Sequence, residues 1–333
     1  MRSPLTIPAA VAVLALSLVG CASGVEDSAP KDDASSTPTD GTFPQTVETA
    51  FGDVTIDSAP QRIVALGWAD AETALALGYQ PVGASDWLDF GGDGVGPWAE
   101  GLYDESPEII ATLEPSYEAI AALDPDLILD VRSSGDEDRY ERLSEIAPTI
   151  GVPEGGEKYL ATQEQQIDMI STALGVPEKG EALVAEIEAA YADAAEAHPE
   201  WAGKTVTVSA KTSEGWGAYI EESSRVQTLE KFGFVQNPAV DALPANSGGF
   251  SVSISSEELG VMDADVVIVF PIYIDSTEVT DDAQWKAIPA VADGRSIVMD
   301  GAISSAYSLG SPQSSLYTVE NLVPLLEKAI PAG

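Results

Sequence analysis

Glu118-Ala-Ile-Ala-Ala-Leu-Asp-Pro-Asp-Leu-Ile-Leu-Asp130 and Glu257-Glu-Leu-Gly-Val-Met-Asp-Ala-Asp-Val-Val-Ile-Val269 are two versions of one pattern. Each begins with an acid, continues as a short helical stretch, stops at an Asp-x-Asp, and runs into unbroken apolar residues. The runs starting at Leu127 and Val266 are too short for buried helices and lack the polar alternation of a half-exposed strand. They read as strands covered on both faces, which belong in parallel sheets with helices on either side. Two copies imply two such sheets.

The neighbouring sequence extends the duplication. Upstream of the copies lie Arg62-Ile-Val-Ala-Leu66 after Pro60, and Lys204-Thr-Val-Thr-Val-Ser209 after Gly203, both strand candidates. Ala69 to Leu77 reads as a helix ended by Gly78, and Pro81-Val-Gly-Ala84 as the next strand, the strand–helix–strand order of a parallel crossover. Between the halves, Glu164 to Leu174 and Glu178 to Ala197 read as two helices split at Gly175-Val176-Pro177. Leu183, Ile187 and Tyr191 recur at fourfold spacing in the second, with no glycine after Gly180, so it should be one rigid rod. The fold class is α/β: two similar lobes with mainly parallel sheets joined by one long rigid connecting helix. Residues 43–157 form the N-terminal lobe, 158–202 the connecting helices and 203–333 the C-terminal lobe. A ligand is expected in the cleft between the lobes, with little hinge motion.

Ahead of the lobes, Met1-Arg2, an apolar run from Leu5 to Val19, and Leu18-Val19-Gly20-Cys21 have the order of a secretory leader ending in a lipobox. Residues 1–20 are read as a lipoprotein signal peptide and Cys21 as the lipidation site. Residues 21–42, rich in Ser, Asp, Pro and Thr, form a flexible tether that cannot offset the entropy of ordering. Cys21 is the single cysteine, which rules out an internal disulfide. The expectation is an exported protein, held at the outer side of the cell membrane by its lipid alone.

The charge of −40, from 55 acids against 15 Lys and Arg, excludes a nucleic-acid partner, which would need a basic footprint. It serves solubility, or it favours a neutral or cationic ligand; composition leaves both open. The one histidine, His198, sits in a polar helix-end corner, so a Ser-His-Asp or Cys-His hydrolase has nothing to work with. The chain is therefore not read as an enzyme. Nor can one imidazole furnish a zinc or manganese site. Asp136-Glu137-Asp138 and Asp281-Asp282 read as solvated loops, so no direct metal site and no resident cofactor are expected. Gly91-Gly92-Asp93-Gly94-Val95-Gly96 lacks the strand and helix of a phosphate loop; it reads as a wide turn presenting Trp98.

Aromatic residues gather where the chain turns: Trp68, Trp87, Phe90, Trp98, Trp216, Tyr219, Tyr273 and Tyr307. Each is either core or a rigid contact surface for a bulky ligand. Arg132 ends the strand that starts at Leu127, where parallel-sheet ligands dock. With Arg225 it either pairs with one of the many acids or binds carboxylate, catecholate or hydroxamate oxygens.

Ala59-Pro-Gln-Arg-Ile-Val-Ala-Leu-Gly-Trp-Ala-Asp-Ala-Glu-Thr-Ala-Leu-Ala-Leu-Gly78, Gly94-Val-Gly-Pro-Trp98, Ile120-Ala-Ala-Leu-Asp-Pro-Asp-Leu-Ile-Leu129 and Val267-Ile-Val-Phe-Pro271 together resemble the iron-siderophore class of bacterial importer binding proteins. That group includes receptors for ferric hydroxamates, haem and cobalamin. The resemblance covers nearly all of the chain after Phe43. It implies the class III, helical-backbone binding-protein fold and a monomer that captures a ferric siderophore for an ABC importer, with haem or cobalamin as the alternative ligand. It places Trp87, Val131 or Arg132, Tyr307 and Ser308 at the cleft, beside Trp68, Trp216, Tyr219, Arg225 and Tyr273 from the residue reading. It also implies that Glu118 and Glu257, one per lobe, dock the permease subunits; otherwise they are ordinary helix-start acids. Hydroxamate receptors of the group often carry an arginine just before the Glu118 helix, where this chain has Ala111-Thr112-Leu113. Two rivals are a surface hydrolase and a scaffold lipoprotein that keeps the fold without a ligand.

Overall fold

The computed structural model describes residues 41–247 and 249–331. The expected leader, Cys21 and nearly all of the tether lie outside the described residues. A hairpin of β1 (Gln45–Thr49) and β2 (Gly52–Ile56) leads into β3 (Ile63–Ala65), α1 (Asp70–Ala76), β4 (Gly83–Ala84), β5 (Glu108–Ile109), α2 (Tyr117–Ala122), β6 (Leu127–Leu129), α3 (Glu137–Ser144) and β7 (Thr149–Ile150). β3 to β7 make a five-stranded sheet in the order β5-β4-β3-β6-β7, every pair parallel. Alternation along β6 sends Leu127 and Leu129 into one apolar cluster and Ile128 into another on the opposite face, so the strand is buried on both sides as its composition requires.

Next come α4 (Gln163–Ala173) and α5 (Pro177–Ala197). Thr162 and Gln165 cap α4 reciprocally, and Pro177 opens α5 where no N–H is needed. The 21 residues of α5 span about 30 Å. A Cβ on Gly180 would stand 2.2 Å from Ser171 Oγ, so the two helices cross this closely only because residue 180 lacks a side chain. Ile187 and Tyr191 of α5 are buried in the core of the second lobe, while half-buried Leu183 packs against the cores of both.

The second lobe contains β8 (Thr205–Thr212), β9 (Gly215–Tyr219), α6 (Ser224–Glu230), β10 (Val235–Gln236), α7 (Pro238–Asp241), β11 (Ser251–Ile254), β12 (Val266–Pro271), the single-turn helices α8 (Thr277–Thr280), α9 (Ala283–Lys286) and α10 (Pro289–Ala292), then β13 (Ser296–Val298), α11 (Gly301–Leu309) and α12 (Pro312–Ala329). Its six-stranded sheet runs β11-β9-β8-β12-β13, with β10 also beside β8. β10, β12 and β13 follow the parallel rule, but β9 and β11 are antiparallel to their neighbours. The duplication is thus broken by a hairpin between Thr212 and Gly215, where Gly215 takes φ +145°. The helix of the second repeat also tightens to a 3-10 form, Ser256–Met262, with the poor helix former Gly260 inside it.

One feature of the repeat recurs with different donors. Asp126 accepts from the backbone N–H groups of Gln61 and Arg62 at 2.8 and 2.9 Å, and its counterpart Asp265 accepts from Thr205 N and Oγ1 at 2.8 and 2.9 Å. Each aspartate ties the start of its strand to the start of the neighbouring strand, which sets the register of β6 on β3 and of β12 on β8. Among the described residues no helix is long and apolar enough to cross a membrane.

Candidate functional site

The site begins at the ends of β3 and β6. After β3 the chain turns through Gly67-Trp68-Ala69, with Ala69 in the left-handed region at φ +67°. A Cβ on Gly67 would meet Asp70 Oδ2 at 2.2 Å and Arg132 N at 2.9 Å, so only glycine lets the two strand ends approach. Trp68 N donates to Arg132 O at 2.8 Å. Asp70, 0% exposed, accepts from Val131 N at 2.8 Å and from Gln166 Nε2 at 2.5 Å. Burial pushes its carboxyl up to about 7. Glu72, two residues along α1, accepts from Gly96 N at 3.0 Å, Trp98 Nε1 at 2.7 Å and Ser311 Oγ. Burial raises its pKa too. Two buried carboxylates therefore fasten the floor: Asp70 joins the β3 and β6 ends, and Glu72 joins the glycine-rich turn to the start of α12.

Three rings stand on this floor. Trp68 and Trp87 have centroids 5.5 Å apart, and Tyr159 meets Trp87 edge-on at 5.4 Å. All three are half-buried. The poses of the two tryptophans are fixed, because Trp68 Nε1 donates to Leu309 O at 2.8 Å and Trp87 Nε1 to Leu66 O at 2.9 Å. Trp98, positioned by Glu72, lies 5.6 Å from Phe90 and 5.4 Å from Tyr317. Ala69, Glu72, Ser85, Trp87, Phe90 and Leu309 line a narrow crevice beside these rings.

Arg132 reaches from the first lobe to the second, where its Nη1 donates to Leu309 O at 3.3 Å. Burial and the Arg225 guanidinium lower its pKa to about 10. Arg225 lies over the Tyr219 ring at 4.9 Å and the Phe270 ring at 5.9 Å, and its carbonyl accepts from Tyr307 Oη. Phe270 and Tyr307 are 5.3 Å apart. The last turn of α11 therefore touches both arginine residues, Leu309 through the Arg132 side chain and Tyr307 through the Arg225 carbonyl, with Ser308 half-buried on the same helix.

The sequence-predicted residues fall into three groups. Trp68, Trp87 and Arg132 are brought together, as are Tyr219, Arg225 and Tyr307, and α11 links the two sets. Trp216 corrects the expectation for its ring: it is buried and stacks 5.5 Å from Trp285 in a separate apolar cluster. The reason is strand alternation, which turns Trp216 and Ala218 to one face of β9 and Tyr219 to the other. Tyr273, just past β12, is wholly exposed at φ +55° and joins neither set. Glu118 and Glu257 are exposed, each the second residue of the helix that opens its repeat.

Tyr159, Tyr317 and the buried pair Asp70 and Glu72 were not singled out from the sequence. Tyr159 carries one usable signal: it follows the glycines at 155 and 156, and both Lys158 and Tyr159 are left-handed, at φ +59° and +66°. His198 lies at the end of α5, stacked 4.0 Å from Trp201 and beside Glu200 and Glu327. Asp136 and Asp282 cap helices rather than forming a cluster.

The sequence pattern of the family described as periplasmic binding protein matches residues 63–302. The chain is 29% identical over 274 residues to the probable siderophore-binding lipoprotein YfiY of Bacillus subtilis strain 168, covering 78% of this chain and 81% of that one. A periplasmic solute binding protein from Mycobacterium smegmatis superposes with a TM-score of 0.75 at 27% identity, over 86% of this chain and 98% of that one. PiaA of Streptococcus pneumoniae TIGR4, solved in complex with ferrichrome, gives 0.69 at 28% identity, over 85% and 98%.

Proposed function

Since the chain belongs to the periplasmic binding protein family, we propose that it captures a ferric siderophore outside the cell and delivers it to an ABC-type importer. The observation that carries this reading is the junction itself. Trp68 and Arg132 of the first lobe donate to Leu309 at the end of α11, Trp87 shares a crevice with Leu309, and Arg225 of the second lobe accepts from Tyr307 of the same helix through its carbonyl. Fixed aromatic faces supply large contact area at little entropic cost, and arginines supply donors for chelating oxygens. The relatives support it: YfiY is named for siderophore binding, and PiaA was solved with ferrichrome. The cleft offers recognition groups, and the ligand is passed on unchanged. Residues 1–20 serve as leader, Cys21 carries the lipid, and Glu118 with Glu257 docks the permease.

Titrating intrinsic tryptophan fluorescence with ferric hydroxamate, catecholate and citrate complexes, haem and cobalamin tests the reading. A ferric chelate is expected to quench saturably at sub-micromolar concentration. Quenching by haem or cobalamin alone would replace the ligand, and no response to any of them would leave a scaffold protein.

A further inference from the structure

Arg132 and Arg225 present an unusual electrostatic situation for so acidic a chain. With 55 acids against 15 Lys and Arg, partners are abundant. Arg139 takes Asp130 at 2.8 Å, Lys211 takes Asp282 at 3.6 Å and Arg295 takes Asp293 at 3.2 Å. Exposed bases can rest in water, but a half-buried guanidinium without an acid bears an uncompensated charge. Among the described residues neither Arg132 nor Arg225 has an ion-pair partner, and the Nε of each is buried without a hydrogen bond. The carboxylate whose charge Arg132 feels, Asp70, is already occupied by Val131 N and Gln166. The two guanidiniums also raise each other's energy, since Arg132 is lowered partly by Arg225.

We infer that Arg132 and Arg225 together receive an anionic ferric chelate, one held by carboxylate or catecholate oxygens and so net negative, in preference to a neutral tris-hydroxamate. The inference rests on the siderophore reading and adds the charge class of the ligand. An anionic chelate supplies the charge that both guanidiniums lack; a neutral one leaves the mutual repulsion in place. The −40 of the whole chain does not forbid it, because exposed charges are screened beyond about 8 Å at physiological salt. The local pair decides. Trp68, Trp87 and Tyr159 offer uncharged ring faces, which leaves discrimination by charge to the arginines.

The test is tryptophan fluorescence of the full chain, titrated with ferric citrate, a ferric tris-catecholate and ferrichrome. It is repeated on Arg132→Gln and Arg225→Gln, with the melting temperature of each variant. One anionic chelate is expected to bind at least about 100-fold more tightly than ferrichrome, near 2.8 kcal/mol, and whether citrate or the catecholate does so names the donor chemistry. Each substitution should weaken that chelate about tenfold or more, weaken ferrichrome by a smaller factor, and melt no lower than the parent, because an uncompensated charge has gone. Tightest binding by ferrichrome, unchanged in both variants, overturns the inference while keeping the siderophore reading. Variants that melt lower and lose all chelates equally show the arginines to be structural and overturn it as well. No binding of any ferric chelate to the parent removes both.

Discussion

Trp87 is fixed at one edge by its hydrogen bond to Leu66 O and flanked by Trp68 and Tyr159. Trp87→Ala should therefore remove contact area without disturbing β3, and weaken the ferric ligand at least about tenfold, roughly 1.4 kcal/mol; an unaltered titration would exclude this ring from the site. Asp70 gives the molecule a pH dependence. Its folded pKa of about 7 exceeds the ordinary value of 3.8, so between these values the folded state binds the proton that the unfolded state releases. Stability should fall as pH rises from about 4 to about 7, by on the order of 4 kcal/mol, and level off above. Glu72, raised by the same burial, adds in the same direction. Asp70→Asn should flatten most of that slope in melting curves; an unchanged slope would place its origin elsewhere.

Helix α5 does its work through two residues. Leu183 touches both cores, so Leu183→Ala should cost about 2 kcal/mol and lower the unfolding of both lobes as one transition, read by calorimetry. Gly180 sets the crossing with α4. Alanine there has the better helix propensity by roughly 1 kcal/mol, but its Cβ would overlap Ser171 Oγ at 2.2 Å and Ser171 Cβ at 2.6 Å. The clash should win, and Gly180→Ala is expected to destabilise by about 1–3 kcal/mol in denaturant titrations. The short strands were legible in Leu127-Ile-Leu129 and Val266-Val-Ile-Val269 because burial on two faces leaves no polar position. The antiparallel β9 and β11 were not, since a hairpin and a crossover can follow strands of the same composition. Nor was the face of Trp216: its glycine neighbours suggested a turn, whereas the structure continues β9 through them.

At the scale of the molecule, Glu118 and Glu257 mark equivalent points of the two lobes, both exposed and both at helix starts. Lysine at both positions should abolish iron uptake by cells while leaving ligand affinity unchanged, since neither touches the rings or arginines of the junction; normal uptake would refute the docking role. What the sequence by itself determined was whatever depends on local periodicity and repetition. It held the two sheets, the connecting rod with Leu183, Ile187 and Tyr191 on one face, the glycine that ends α1 at Gly78, and the aspartates that open each repeat strand. It also marked Trp68, Trp87 and Arg132, because strand ends are where parallel sheets bind. Only the tertiary structure decided which of the candidates meet. Trp216 turned inward, Tyr273 stood apart, Tyr159 arrived from the loop after β7, and Asp70 and Glu72 became buried fasteners. Above all, among the described residues it left the Nε of both Arg132 and Arg225 buried without a partner, in a chain full of acids. The physical reason is that pairing and burial depend on distances between residues far apart in the chain, and neither composition nor spacing encodes those distances until the two lobes close on α11.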